Sequence, residues 1–196
     1  MVEVTARSAN WRLFGGGGYL VAAILWIVGI VLGAAGVAAV GGWLVAIAYL
    51  LVAIGHLFVA FGQTGSNGAV GKLGWGKAAL VAAAVGWALL AVSSVISLVG
   101  SGAPSLVGTA IPSWLPWVAF ALVVVGGLLG AVAINGRGVA KGFAKWVYFV
   151  PVVWAAIALV LSVLGIVTHW WPFLVLAILV GLTGLAYLFN RADLKK

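Results

Sequence analysis

Residues 43–62 read Trp43-Leu-Val-Ala-Ile-Ala-Tyr-Leu-Leu-Val-Ala-Ile-Gly-His-Leu-Phe-Val-Ala-Phe-Gly62, an unbroken apolar run with no formally charged side chain. A helix facing water on one side needs a polar stripe, and a barrel strand alternates apolar and polar residues at period two. This stretch has neither pattern. At 1.5 Å per residue it crosses about 30 Å of hydrocarbon as a helix, so it reads as a transmembrane span.

Five further segments share its character, at about 18–40, 78–99, 114–134, 146–167 and 171–189. The 196-residue chain is 66% hydrophobic and 6% charged, with a mean hydropathy of +1.32. Soluble domains carry roughly a quarter of their residues as charges, because a surface facing water needs polar cover. The expected fold is therefore an all-α membrane protein with six transmembrane helices in one domain, 1–196. Glu3, Arg7 and Arg12 precede the first apolar segment, which is too long for the core of a signal peptide and is read as a retained span.

Charge gives the expected orientation. Arg7 and Arg12 precede the first span, Lys72 and Lys77 separate spans two and three, and Arg137, Lys141 and Lys145 separate spans four and five. Arg191, Lys195 and Lys196 follow span six. All ten basic residues then fall on one side, while Gly41–Gly42, 100–113 and 168–170 carry none. Random placement gives such a bias about once in 500 trials, and basic loops stay in the cytoplasm. Both termini are expected there, in a bacterial plasma membrane. The net charge of +8 is spread around span ends, which points to anionic headgroups rather than nucleic acid. Trp43, Trp114, Trp117, Trp170 and Trp171 are expected at the outer interface. Trp11, Trp75 and Trp146 are expected at the inner one, where Lys72 and Lys77 accompany them.

Three tryptophans remain, Trp26, Trp87 and Trp154, one each inside spans one, three and five. A shift of 128 residues superposes Trp26 on Trp154, Trp43 on Trp171 and Phe61 on Phe189. The pattern suggests three tandem helical hairpins, the middle one with a longer outer loop rich in Gly, Ser and Pro.

Candidate chemistry is sparse. The only carboxylates are Glu3 and Asp193, outside every span, and cysteine is absent. Membrane proton relays and acid–base pairs rest on buried ionisable groups, so no catalytic residue, metal ligand or cofactor ligand is assigned. His56 is the one ionisable side chain well inside a span, read as pathway lining or as a neutral imidazole bonded across a helix interface. His169 falls at the opposite boundary, so the two do not make a haem ligand pair. Ser93, Ser94, Ser97, Ser162 and Thr183 either line a polar cavity with His56 or bond back to their own helices. Gly29-xxx-Gly33 and Gly126-xxx-Gly130 have the spacing that bares a helix face for close packing, within the bundle or in a homo-oligomer. Gly15 to Gly18 lacks the Lys-Ser/Thr of a phosphate loop and reads as a flexible lead-in to span one. The Gly-rich stretch 62–76 reads as a loop lying against lipid.

Six short spans, repeated hairpins and Gly-rich segments such as Trp43-Leu-Val-Ala-Ile-Ala-Tyr-Leu-Leu-Val-Ala-Ile-Gly resemble the HdeD-like acid-resistance membrane proteins. The resemblance covers the whole chain and implies a stress-related inner-membrane protein; the lack of buried charge and the abundance of packing glycines point the same way, to a non-enzymatic protein or an accessory subunit of a larger assembly, with a closed bundle. In length and span number the chain is also similar to the acetate and succinate transporter family. Where that family carries Asn-Pro-Ala-Pro, this sequence has Ser8-Ala-Asn-Trp-Arg. The second resemblance implies transport, and the hydroxyls of spans three, five and six with His56 give the alternative expectation of a channel or carrier for a small neutral or weakly acidic solute, with a polar cavity near the midplane.

Overall fold

A computed structural model describes residues 11–62, 68–102, 114–137, 140, 142–165 and 171–189. Its helices are α1 (Gly17–Ala34), α2 (Ala38–Phe61), α3 (Gly74–Gly102), α4 (Leu115–Arg137), a short α5 (Ala144–Val147), α6 (Phe149–Val163) and α7 (Trp171–Leu188). A π-helical turn, Arg12–Gly16, leads into α1. Six helical segments are long and apolar enough to cross a membrane, the shortest 18 residues and the longest 26, with α5 and α6 together forming the fifth. Among the described residues there is no strand. The chain is an all-helical, multi-pass membrane protein.

The spans form a ring. Each packs against the next in sequence, and α1 closes the circle against α7. At one end Trp11 packs edge-on to Tyr187, Phe14 stacks on Phe58, and the Lys77 ammonium sits 5.5 Å over Phe61. Arg12, Lys72, Lys77 and Lys145 gather there, and it is called the basic end below. The opposite, uncharged end holds the 35–37 turn and the beginnings of α4 and α7.

Several boundaries depart from the sequence expectation. The first turn is at 35–37, not at Gly41–Gly42, which lie inside α2. Gly36 takes φ +87°, and the Gly36 and Val37 amides donate to Gly33 and Leu32 carbonyls at 3.2 and 2.9 Å, the Schellman pattern that ends a helix. Gly41 serves packing instead, because a Cβ built on Gly29 would lie 2.7 Å from the Gly41 carbonyl oxygen. Nor is the glycine run at 15–18 a flexible lead-in. It is helical and wedged between α2 and α7, with a Cβ on Gly16 falling 2.9 Å from the Gly184 carbonyl. The described part of the 62–76 stretch does not simply lie on lipid either. Ala69 and Val70 are fully buried, and the Ala69 amide donates to the Val59 carbonyl at 2.7 Å.

Close backbone contact defines the seams. At the α3/α4 seam a Cβ on Gly86 would fall 2.6 Å from the Ala119 carbonyl, and one on Gly126 would fall 2.6 Å from both Ala79 O and Ala83 N. In lipid, apolar side chains gain little by leaving one hydrocarbon for another, so close van der Waals packing at small residues holds helices together. Helix α6 contains no glycine, and its contacts with α4 and α7 run through side chains.

Candidate functional site

Pro151 explains the break in the fifth span. Its ring nitrogen has no N–H for the Val147 carbonyl and clashes with the preceding turn, so α5 and α6 part at Tyr148. Membrane helices tolerate such a break where a neighbour answers the freed carbonyl. Here Thr183 Oγ1 approaches Val147 O at 3.5 Å, while bonding the Leu179 carbonyl of its own helix at 2.9 Å.

The break directs Tyr148 at His56. The two are buried, and the Tyr148 hydroxyl lies 2.6 Å from His56 Nε2. His56 Nδ1 lies 2.8 Å from the Val52 carbonyl, which can only accept, so Nδ1 carries the proton. In the uncharged ring Nε2 is then an acceptor, and the Tyr148 hydroxyl donates to it. Tyr19 packs edge-on against His56 at 5.2 Å and faces Tyr187 at 6.2 Å. The buried Tyr19 and Tyr187 hydroxyls have no hydrogen-bond partner. Residues from all six spans, among them Tyr19, His56, Trp87, Val123, Tyr148 and Thr183, enclose a cavity of about 20 Å³ at the centre of the ring. That is room for one water molecule.

Toward the uncharged end an aromatic layer follows. Trp26 and Trp87 are buried edge-on to one another at 5.5 Å, and Tyr49 packs against both, at 4.9 and 5.5 Å. Trp87 borders the small cavity and Tyr49 the space beyond. Trp154, which the 128-residue shift aligns with Trp26, sits differently: its Nε1 donates to the Pro172 carbonyl at 2.9 Å and its ring lies 6.0 Å from that of Trp171.

Beyond this layer lies a crevice of about 560 Å³, between α2, α3, α4, α6 and α7. Its polar lining is Ser93, Ser94 and Ser97 of α3 and Ser162 of α6, joined by the Tyr49 phenol and the Trp117 indole, and its apolar walls include Phe120 and Phe173. Three hydroxyls bond back to their own helices: Ser94 to Leu90 O at 2.8 Å, Ser97 to Ser93 O at 3.0 Å, and Ser162 to Ala158 O at 2.7 Å. Ser93 Oγ is buried without a hydrogen-bond partner. The candidate polar residues thus divide into two groups, four serines in the crevice and His56 with Thr183 at the small cavity.

The remaining sequence-assigned residues lie apart from these cavities or at their edges. Trp43, Trp75, Trp114, Trp117, Trp146 and Trp171 are exposed on the bundle surface, and Lys72 is exposed near Trp75. Trp11 is buried in the bundle against Tyr187, at 2% exposure, unlike these exposed tryptophans. Gly29 and Gly126 stand at seams, Gly130 faces Leu80, and the missing side chain of Gly33 would point into open space. Trp170, His169, Lys141 and the 103–113 segment lie outside the described residues. Sequence reasoning passed over Tyr19, Tyr49 and Tyr148. Pro151 three residues after Tyr148 was the one local signal that a span was interrupted there.

Among the described residues no three His, Cys, Asp or Glu side chains come together as a metal site would require. No family model, curated protein or solved structure matches this chain.

Proposed function

We propose that the chain is a non-enzymatic protein of a bacterial plasma membrane, with both termini in the cytoplasm, that admits a small neutral or weakly acidic solute to the crevice beside α6. The observation that carries this reading is the crevice itself. Its volume of about 560 Å³ falls in the usual range for small-molecule sites, and Ser93 presents a buried hydroxyl with no protein partner. If the basic end faces the cytoplasm, the crevice belongs to the outer half. The Trp26–Tyr49–Trp87 layer beneath it suits a carrier with a closed floor better than an open pore. Lys72, Lys77 and Trp75 then sit among anionic headgroups.

A second reading, a stress-related HdeD-like protein or an accessory subunit, draws support from the basic half, where Trp11, Tyr19, Val59 and Tyr187 are packed to 2% exposure or less. Stopped-flow swelling of proteoliposomes in gradients of small neutral solutes separates the two. Solute entry several-fold above protein-free vesicles, abolished by Ser94→Phe, which fills the crevice, is the expected result. Entry equal to that of protein-free vesicles for every solute would leave the scaffold reading standing.

A further inference from the structure

The back-bonded serines restrict what the crevice can recognise. A serine hydroxyl has one proton and two lone pairs. In Ser94, Ser97 and Ser162 that proton is committed to a carbonyl of the same helix, at 2.7 to 3.0 Å. What these three side chains turn toward the cavity is oxygen lone pairs. Ser93, with no partner, retains both functions.

The charge inventory adds a second restriction. Among the described residues no Lys, Arg, His, Asp or Glu lines the crevice. A carboxylate brought there would lose hydration without meeting a cation, and would find hydrogen-bond donors only in the side chains of Ser93, Tyr49 and Trp117, since the other serine protons are held by carbonyls. An ammonium ion would meet lone pairs and aromatic faces, but no carboxylate among the described lining residues, in a chain whose net charge is +8. An uncharged molecule with an O–H or N–H meets neither cost. Its donor finds a serine oxygen already oriented, and its apolar body lies against Phe120, Phe173 and Leu159.

We propose that the crevice selects uncharged, mainly apolar molecules that carry a hydrogen-bond donor, the class of phenols, alcohols and protonated acids, over anions of the same shape. This rests on the solute-site reading above and narrows it: a weakly acidic solute enters in its protonated form.

The test is equilibrium dialysis of the full chain in nanodiscs, with empty nanodiscs subtracting lipid partition. The probes share one ring system: 1-naphthol, 1-methoxynaphthalene, 1-naphthoate and the ammonium form of 1-(aminomethyl)naphthalene. One hydrogen bond of about 1 kcal/mol corresponds to roughly fivefold in affinity. The expected result is 1-naphthol bound at least about fivefold more tightly than 1-methoxynaphthalene, with the ratio falling toward one in Ser94→Ala/Ser162→Ala. Equal affinity of the two in the unaltered chain, or tighter binding of the naphthoate or the ammonium probe, would overturn the donor rule and leave the crevice as a site. Retention of no probe above empty nanodiscs would remove the site as well. The comparison within the unaltered chain decides the matter even if the double variant fails to fold.

Discussion

Between α3 and α4 two backbones touch through Gly86 and Gly126, while α6 meets α4 through side chains, with the Val152 methyls against Gly127. The same contrast recurs around the ring. Helices α1 and α2 meet at Gly29 and Gly41, and the π-helical turn with the start of α1 meets α7 at Gly16 and Gly184. Helix α6 holds its place by Trp154 bonding Pro172 and by valine and leucine side chains. Water drives no helix association inside a bilayer, so a helix without glycine gives up the closest backbone approach. The seams close the bundle, and the sector beside α6, at Leu159 and Ser162, borders the crevice. Solid packing and a solute-sized space thus occupy one small ring because glycine is distributed unevenly around it.

Substitutions at matched positions can break this comparison. The largest effect is expected at Gly126→Ala, where the new methyl would lie 2.6 Å from Ala79 O and Ala83 N. Overpacking there should cost about 2 to 3 kcal/mol, read as a lower melting temperature in detergent. Gly33→Ala is its control. That methyl meets nothing within 4 Å, so the variant should be unchanged or up to about 1 kcal/mol more stable. Equal losses at the two sites would show that backbone approach is not what holds the seams.

Tyr148→Phe comes next. It removes the donor to His56 Nε2 and leaves a buried acceptor unmet, at a cost of about 1 to 3 kcal/mol. A double-mutant cycle with His56→Ala measures the coupling, and a coupling near zero would mean the pair is not formed. Trp154→Phe should cost about 1 kcal/mol by removing the bond to Pro172, and thiol cross-linking between α6 and α7 should show the two helices moving apart at the uncharged end. The smallest effect is expected at Ser94→Ala, within about 0.5 kcal/mol, because that hydroxyl serves only its own helix. A loss of 2 kcal/mol there would mean that Ser94 holds the wall of the crevice instead of facing a ligand.

The spans were legible because lipid imposes a simple rule on composition, as the run from Trp43 to Gly62 illustrates. The gathering of Lys72, Lys77 and Lys145 at one end was legible for the same reason. Boundaries were harder where glycine has several uses. Gly36 ends a helix, Gly41 lets two helices touch, and Gly15 and Gly16 seat a π-helical turn, yet all read alike in one dimension. The serines at 93, 94, 97 and 162 could be named from their place in apolar spans. Their separation from His56 by the Trp87 layer could not, because it depends on how α2, α3 and α6 are rotated in the ring. Tyr148 was hidden for a similar reason: its partner is 92 residues away, and only the Pro151 break aims it there.

One-ended access is the claim on which the rest turns, and the absence of native cysteine makes it directly measurable. Ser94→Cys and Thr183→Cys place single thiols on opposite sides of the aromatic layer, one in the crevice and one at the small cavity. The expected result with a membrane-impermeant thiol reagent is rapid labelling of Ser94→Cys from the side of the uncharged end and none of Thr183→Cys from that side. A silent Ser94→Cys in folded protein, or a Thr183→Cys that reacts from that same side, would contradict it.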